Sequence, residues 1–270
     1  MGGRDANEIC RSRLNALIPA PAPIPTRHAQ DVPEEVLDFH RIKHAQVLLR
    51  IRFLRLADAA ALPALIRDNP RAAKLWARYC EEEMLHEAFF LKDLNRMGVD
   101  TATVYATEPF LSVKLSMGYL EYATKHEGPM ARLVFAYFNE AYSRQAVRQT
   151  WETVRGTRLE PLFSGYLAHG QYDDSHDHTD DVWQALSLIL KTDADRERAV
   201  YHGGVWVRMA EAFQAELRET AADGSARSLL GTAPRSLFAP VTSSQGELEE
   251  LSRQEAESLG AAALAGYPAS

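Results

Sequence analysis

The segment RAAKLWARYCEEEMLHEAFFLKDLNRMG, residues 71–98, decides the fold class, because its apolar residues recur at helical spacing. On a wheel of 100° per residue, Glu83 and His86 share the stripe that contains Trp76. Residues three apart on a helix are neighbours, with ~5–6 Å between Cβ atoms, so a carboxylate and an imidazole at this spacing can bind one metal ion. The segment therefore predicts a helix that turns two metal-binding groups toward the core, with Glu82 as the reserve ligand.

A second carboxylate lies on the apolar face of another predicted helix, RLVFAYFNEAYSRQAVRQTWETV, residues 132–154. Glu140 shares its stripe with Leu133 and Trp151. A buried carboxylate is costly without a cation, and Arg144 is the nearest candidate on the same helix. Both interpretations, a salt bridge to Arg144 and a metal ligand, stay open for Glu140 taken alone.

A third segment, SGYLAHGQYDDSHDHTDDVWQAL, residues 164–186, places His169, Asp173 and His176 at positions i, i+4 and i+7 of one helical face. A solvated Asp/His surface is the competing interpretation. The dense alternation of Asp and His leaves His178, Asp180 and Asp181 as possible ligands too. Together the three segments offer three carboxylates and three imidazoles, a set that favours non-haem iron or manganese over a cysteine-rich structural zinc site.

The rest of the chain is predicted to be all-α, with few alternating β-branched runs. Helices are expected at about 33–59, 71–97, 109–124, 129–155, 158–190 and 193–221. Residues 1–30 are assigned to a proline-rich N-terminal arm, in which PAPAPIPT should be extended. The helical domain covers 31–222, and 223–270 is a low-complexity tail with one short helix at 245–259.

The composition restricts the classes of partner. A net charge of −7, without a cluster of Lys and Arg, argues against nucleic-acid binding. Two cysteines without metal-binding spacing give no disulfide framework, and no segment has the ~18 apolar residues of a membrane span or the core of a signal peptide. We expect a cytoplasmic protein without a membrane or nucleic-acid partner, which acts on a small molecule.

In the order and spacing of these motifs, residues 70–190 resemble the haem-oxygenase-like diiron oxidases and oxygenases. That family has a Glu and a His on one core helix, a lone Glu on a later one, and then His-x-x-x-Asp-x-x-His. The resemblance implies a helical bundle of about six to seven core helices. It also implies two Fe(II)/Fe(III) ions per chain and O2 as co-substrate. The implied ligands are Glu83, His86, Glu140, His169, Asp173 and His176.

The family chemistry implied by this resemblance is N-oxygenation, desaturation or C–C cleavage, often in secondary metabolism. An amino acid or amine is the expected substrate, an external electron donor is an option, and a homodimer is a family-based expectation. A substrate carboxylate would need a cation, for which the candidates are Arg144, Arg148, Lys114 and Arg208. Aromatic side chains that flank the ligands and could line a cavity are Tyr137, Tyr142, Tyr172, Phe89 and Phe90.

Four competing hypotheses stay open. The ferritin-like arylamine N-oxygenases are similar in the Glu-x-x-His pair and the late triplet, but they carry a further Glu on the first core helix. Here 33–59 has acids only near its ends. The same scaffold also serves metal-free enzymes of the thiaminase and quinone-cofactor-synthesis types. A metal-dependent hydrolase and a non-catalytic interaction protein are the remaining two, although burial costs disfavour the last.

Overall fold

The computed structural model describes residues 3–21, 34–176 and 178–233, and these contain helices but no strand. The helices are α1 (Gly3–Leu17), α2 (Glu34–Asp68), α3 (Pro70–Glu82), α4 (Glu87–Arg96), α5 (Thr101–Tyr105), α6 (Leu111–Glu127), α7 (Met130–Val154), α8 (Ser164–His176), α9 (His178–Ser187), α10 (Asp193–Ala222) and α11 (Ala226–Leu229). A 3-10 turn, Glu160–Phe163, precedes α8. The prediction of an all-α chain is confirmed.

Helix α7 occupies the centre of the bundle, where its first two turns are almost wholly buried. It packs against α6, α8, α9 and α10, while α2 packs against α3, α4 and α6 on the other side. This arrangement places the inner faces of α2, α3, α7 and α9 around one interior. None of the described helices combines the length and the apolar character needed to cross a membrane.

Local signals set the helix ends. Asn69 accepts a hydrogen bond from the backbone N–H of Ala72 at 3.1 Å, and Pro70 begins α3 at a position where no backbone donor is needed. At the start of α10, Thr192 and Asp195 form a reciprocal capping box. These two ends agree with the predicted boundaries.

Two of the predicted helices are interrupted. The helix expected at 71–97 breaks at residues 83–86, between α3 and α4, where Leu85 has a left-handed φ of 70°. The helix expected at 158–190 is divided into the 3-10 turn, α8 and α9. Periodicity does not report such breaks, because the apolar spacing continues across them.

The segment assigned to an N-terminal arm contains a helix that the sequence analysis did not predict. Helix α1 packs along α10, where Cys10 and Leu14 are buried. Residues 22–33, which hold most of the proline-rich stretch, lie outside the described part of the chain, as does the short helix expected at 245–259. At the other end, α11 packs on α2.

Candidate metal centre

The break between α3 and α4 positions the first two candidate ligands. Glu83 and His86 lie on either side of Leu85, and both side chains are buried, at 5% and 3% exposure. The Nδ1 atom of His86 lies 3.1 Å from Oε1 of Glu83. The carboxylate and the imidazole are therefore adjacent, as the three-residue spacing predicted, although the backbone between them is a turn.

His178 adds an imidazole from the first residue of α9. It is fully buried, and its Nδ1 atom lies 3.1 Å from Oε1 of Glu83 and 4.0 Å from Oε2 of Glu140. One ligand atom from each of Glu83, Glu140 and His178 lies within 4.8 Å of the others. These three buried residues form a group that could bind a metal ion.

His169 of α8 completes the imidazole cluster. Its ring centroid lies 4.9 Å from that of His86, in an edge-to-face arrangement, and the side chain is 7% exposed. Burial lowers the pKa of His169 to about 3, with the neighbouring His86 acting in the same direction. The imidazole is consequently neutral at physiological pH, which is the form that ligates metals.

The charges of the site depend on its neighbours. Burial alone would raise the pKa of Glu83, but His86, His178 and Arg55 hold it well below the ordinary value. Burial likewise disfavours the charged form of His178, yet the Glu83 hydrogen bond and the nearby carboxylates raise its pKa. The site thus holds an ionised carboxylate whose charge must be balanced by a cation. That cation can be a protonated imidazole or a bound metal ion.

Two residues fix the carboxylates from outside the cluster. The hydroxyl of Tyr79 donates a hydrogen bond to Oε1 of Glu140 at 2.7 Å. The Nη2 atom of Arg55 lies 3.1 Å from Oε2 of Glu83. Each carboxylate is therefore held through one oxygen, while its other oxygen faces His178.

A buried ion network lies behind Glu83. The Oδ1 atom of Asp58 on α2 lies 2.6 Å from Nε of Arg132 on α7, and its Oδ2 atom lies 3.4 Å from Nη1 of Arg55. Arg132 has no exposed surface, and its guanidinium lies 5.4 Å from the ring centroid of Trp76. The network links α2, α3 and α7 beneath the site.

The structure brings four of the six predicted ligands together, namely Glu83, His86, Glu140 and His169. Asp173 and His176 belong to the α8 backbone, but their side chains lie outside the described part of the chain. The remaining imidazole of the described cluster comes from His178, which the sequence analysis left as a possible ligand.

Three acidic residues that the sequence also left open as ligands lie at the edge of the cluster or away from it. Glu82, the reserve ligand, has a side chain that is 20% exposed and lies 3.4 Å from Nε2 of His178. Asp180 pairs with Arg11, and Asp181 pairs with Arg78. Of the three, Glu82 is therefore the one that contacts the cluster.

The structure bears on two further expectations, for Glu140 and for the flanking aromatic residues. For Glu140, the structure shows contacts with Tyr79 and His178, while the salt bridge to Arg144 stays a prediction. Of the flanking aromatic residues, Phe89 and Phe90 lie beside His169, with ring centroids at 5.7 and 5.5 Å. Tyr137 instead donates a hydrogen bond to Asn15 of α1 at 2.5 Å, away from the ligands. Tyr172 lies outside the described side chains.

Comparison with known proteins bears on the fold. The sequence matches no protein-family model, and no curated protein matches it either. Among solved structures, it is similar to a domain of unknown function with a haem oxygenase-like fold from Shewanella denitrificans OS217. The match has a TM-score of 0.57 at 16% sequence identity and covers 87% of this chain and 98% of that chain. The chain therefore has a haem oxygenase-like fold.

Proposed function

We propose that this protein is an O2-dependent non-haem diiron oxidoreductase that acts on a small organic substrate. The observation that carries the proposal is the convergence of Glu83, Glu140 and His178 inside a helical bundle, next to His86 and His169. Carboxylate and imidazole groups without cysteine suit non-haem iron. Such a group is costly to bury unless it binds a cation.

The donor set fits two metal ions better than one. Two carboxylates and three imidazoles lie in the described cluster, and Asp173 and His176 are the further ligands that the sequence predicts. When bound, the irons would supply the electrons and the site at which O2 is activated. Separate replacement of His176 and His178 by Ala, with bound iron measured in each variant, shows which of them ligates iron.

The chain's own contribution is positioning and exclusion of water. Tyr79 fixes the orientation of Glu140 through one oxygen, and Arg55 does the same for Glu83. The aromatic rings of Phe89 and Phe90 cover the side of His169. The resulting low-polarity surroundings keep His169 neutral and available as a ligand.

An amino acid or amine remains the proposed substrate, and N-oxygenation, desaturation and C–C cleavage remain the proposed reactions. The haem oxygenase-like fold supports this proposal only at the level of architecture, since one fold serves many functions. An external electron donor and a homodimer are part of the same proposal.

The proposal is tested by O2 consumption after anaerobic reconstitution of the metal-free protein with Fe(II). We expect rapid O2 uptake and a transient visible absorption band, and neither should occur after reconstitution with redox-inert Zn(II). His169→Ala should lower the bound iron and O2 uptake without loss of helical content by circular dichroism. His126→Ala is the matched control, because His126 is exposed on α6.

Two results would redirect the interpretation. Turnover of a substrate by the zinc form without O2 would favour a metal-dependent hydrolase. Turnover by the metal-free protein would favour a thiaminase-like enzyme, in which the polar core binds an organic ligand directly.

A further inference from the structure

A cavity lies beside the candidate metal centre, between α2, α7 and α10. Its volume is about 90 Å³, the space of about three water molecules. Phe90 and Tyr166 form the wall toward the metal centre, since the ring of Phe90 also contacts that of His169. A molecule in the cavity would therefore have the iron ligands directly behind this aromatic wall.

Two cations of α2 line this cavity. Lys43 and Arg50 are seven residues apart, so they lie on one face of the helix, separated by about 10 Å along its axis. Val47 lies between them on the same stripe, and no Asp or Glu of the described residues lines the cavity. Two positive charges thus face a small, partly apolar space.

Neither cation has an anionic partner among the described residues. The contacts that the structure gives are with rings: Lys43 lies 5.9 Å from the ring centroid of Tyr166, and Arg50 lies 5.6 Å from that of Phe213. The Nε atom of Arg50 is buried without a hydrogen bond. Both residues are half-buried, and cations that are withdrawn from water are normally paired, because their desolvation is costly.

The pKa values of the two cations agree with this geometry. Burial lowers the pKa of Lys43 to about 8 and also lowers that of Arg50. The neighbouring His44 lines the cavity as well, but burial lowers its pKa to about 3, so it is neutral and adds no charge. An anion would compensate both cations.

We propose that this cavity binds the carboxylate group of the substrate, with Arg50 and Lys43 as its counter-ions. The apolar lining would hold the remainder of the molecule against the aromatic wall, next to the metal centre. Arg50 can form a two-pronged contact with a carboxylate, and the lysine adds a second charge. The inference rests on the proposed function and narrows its substrate class to small carboxylic acids, which include amino acids.

This assignment differs from the cations that the sequence suggested. Lys114, Arg148 and Arg208 are exposed, and Lys114 pairs with Glu108. Arg144 is half-buried on α7. None of these four residues lines the cavity.

The test uses the metal-free protein and calorimetric titration with propionate, which fits the cavity, with the neutral propionamide as the matched probe. We expect propionate to bind roughly 10- to 100-fold more tightly than propionamide, because charge-assisted hydrogen bonds distinguish the two. Arg50→Gln and Lys43→Gln should each remove most of this preference. Arg208→Gln, which changes an exposed arginine of α10, should leave it unchanged.

A second readout separates binding from a structural role. If the two cations are unpaired in the free protein, Arg50→Gln and Lys43→Gln should be at least as resistant to thermal unfolding as the wild type. The proposal would be overturned by equal affinity for propionate and propionamide, or by unchanged affinity in both variants. Binding of inorganic phosphate in preference to propionate, or loss of stability in both variants, would overturn it as well. Since no iron is needed, failure of carboxylate binding leaves the diiron proposal standing, and failure to bind iron leaves the carboxylate site intact.

Discussion

Replacement of Asp58 by Asn tests whether the buried ion network beneath the metal centre holds the bundle together. Asp58 is 2% exposed and faces two guanidinium groups, those of Arg132 at 2.6 Å and Arg55 at 3.4 Å. The Asn side chain keeps the shape but removes the charge. Arg132, which has no exposed surface, then loses its carboxylate partner.

The expected loss of stability is large. Breaking a buried ion pair by removing one partner costs ~3–5 kcal/mol, because the remaining charge is left uncompensated in the core. For a domain of this size, that loss lowers Tm by roughly 6–20 °C. The value refers to the metal-free protein, in which no bound ion adds stability.

Urea unfolding of the metal-free protein, followed by circular dichroism, measures the effect. Asp68→Asn is the matched control on the same helix, since Asp68 is exposed and pairs with the exposed Arg67; a change within about 1 kcal/mol is expected there. A loss below about 1 kcal/mol for Asp58→Asn would refute the view that this network is a buried, mutually dependent set of charges.

Three further changes test other parts of the structure. A Cβ atom at Gly165 would lie 2.1 Å from a backbone carbonyl oxygen of α4, so Gly165→Ala should destabilise the protein by ~1–3 kcal/mol in urea unfolding. A Cβ atom at Gly204 would have nothing within 4 Å, so Gly204→Ala should stabilise the protein by ~0.5–1 kcal/mol. Equal effects of the two substitutions would contradict the packing of α8 on α4. Burial raises the pKa of Asp93 from 3.8 to about 7. The folded state therefore binds a proton that the unfolded state lacks between about pH 4 and pH 7, and stability falls as the pH rises through that window. In Asp93→Asn this contribution should vanish, as unfolding free energies at about pH 5 and about pH 7.5 would show; an unchanged slope would count against it. Tyr79→Phe removes the hydrogen bond to Glu140 and should weaken iron binding about 10- to 100-fold in a chelator competition, and unchanged affinity would exclude a positioning role for this hydroxyl.

The helical class and the burial of four candidate site residues could be predicted because burial imposes a period on the sequence. Glu83 and Glu140 are polar residues on otherwise apolar stripes, and such exceptions are visible without a structure. His169 is likewise a polar residue on the inner face of a predicted helix. Glu140 and His169 lie within α7 and α8, whereas Glu83 and His86 are buried although the predicted helix breaks at this point.

His178 could not be assigned because its register depends on a helix break. A continuous helix through 158–190 favours His169, Asp173 and His176, but α9 begins anew at His178. In α9, His178 shares its face with the buried Val182 and Ala185, at i+4 and i+7. That spacing was the signal in the sequence, and the dense Asp/His alternation concealed it.

The left-handed residue between α3 and α4 was equally hidden. Leu85 is a good helix former, and nothing in its type predicts a φ of 70°. Backbone strain of this kind persists only where the surroundings enforce it, and it is common at functional sites. Here it lies between the two candidate ligands Glu83 and His86. The cavity cations Lys43 and Arg50 were missed because one sequence does not show whether the helices packed around α2 supply a carboxylate partner for them.

An anaerobic Fe(II) titration of the purified metal-free protein, read as bound iron per chain, tests the central claim most directly. The buried carboxylates and imidazoles predict saturation at two ions per chain, with less iron bound after His178→Ala and no change after His126→Ala. Absence of specific iron uptake, or full uptake in both variants, would contradict the assignment of this cluster as a diiron centre.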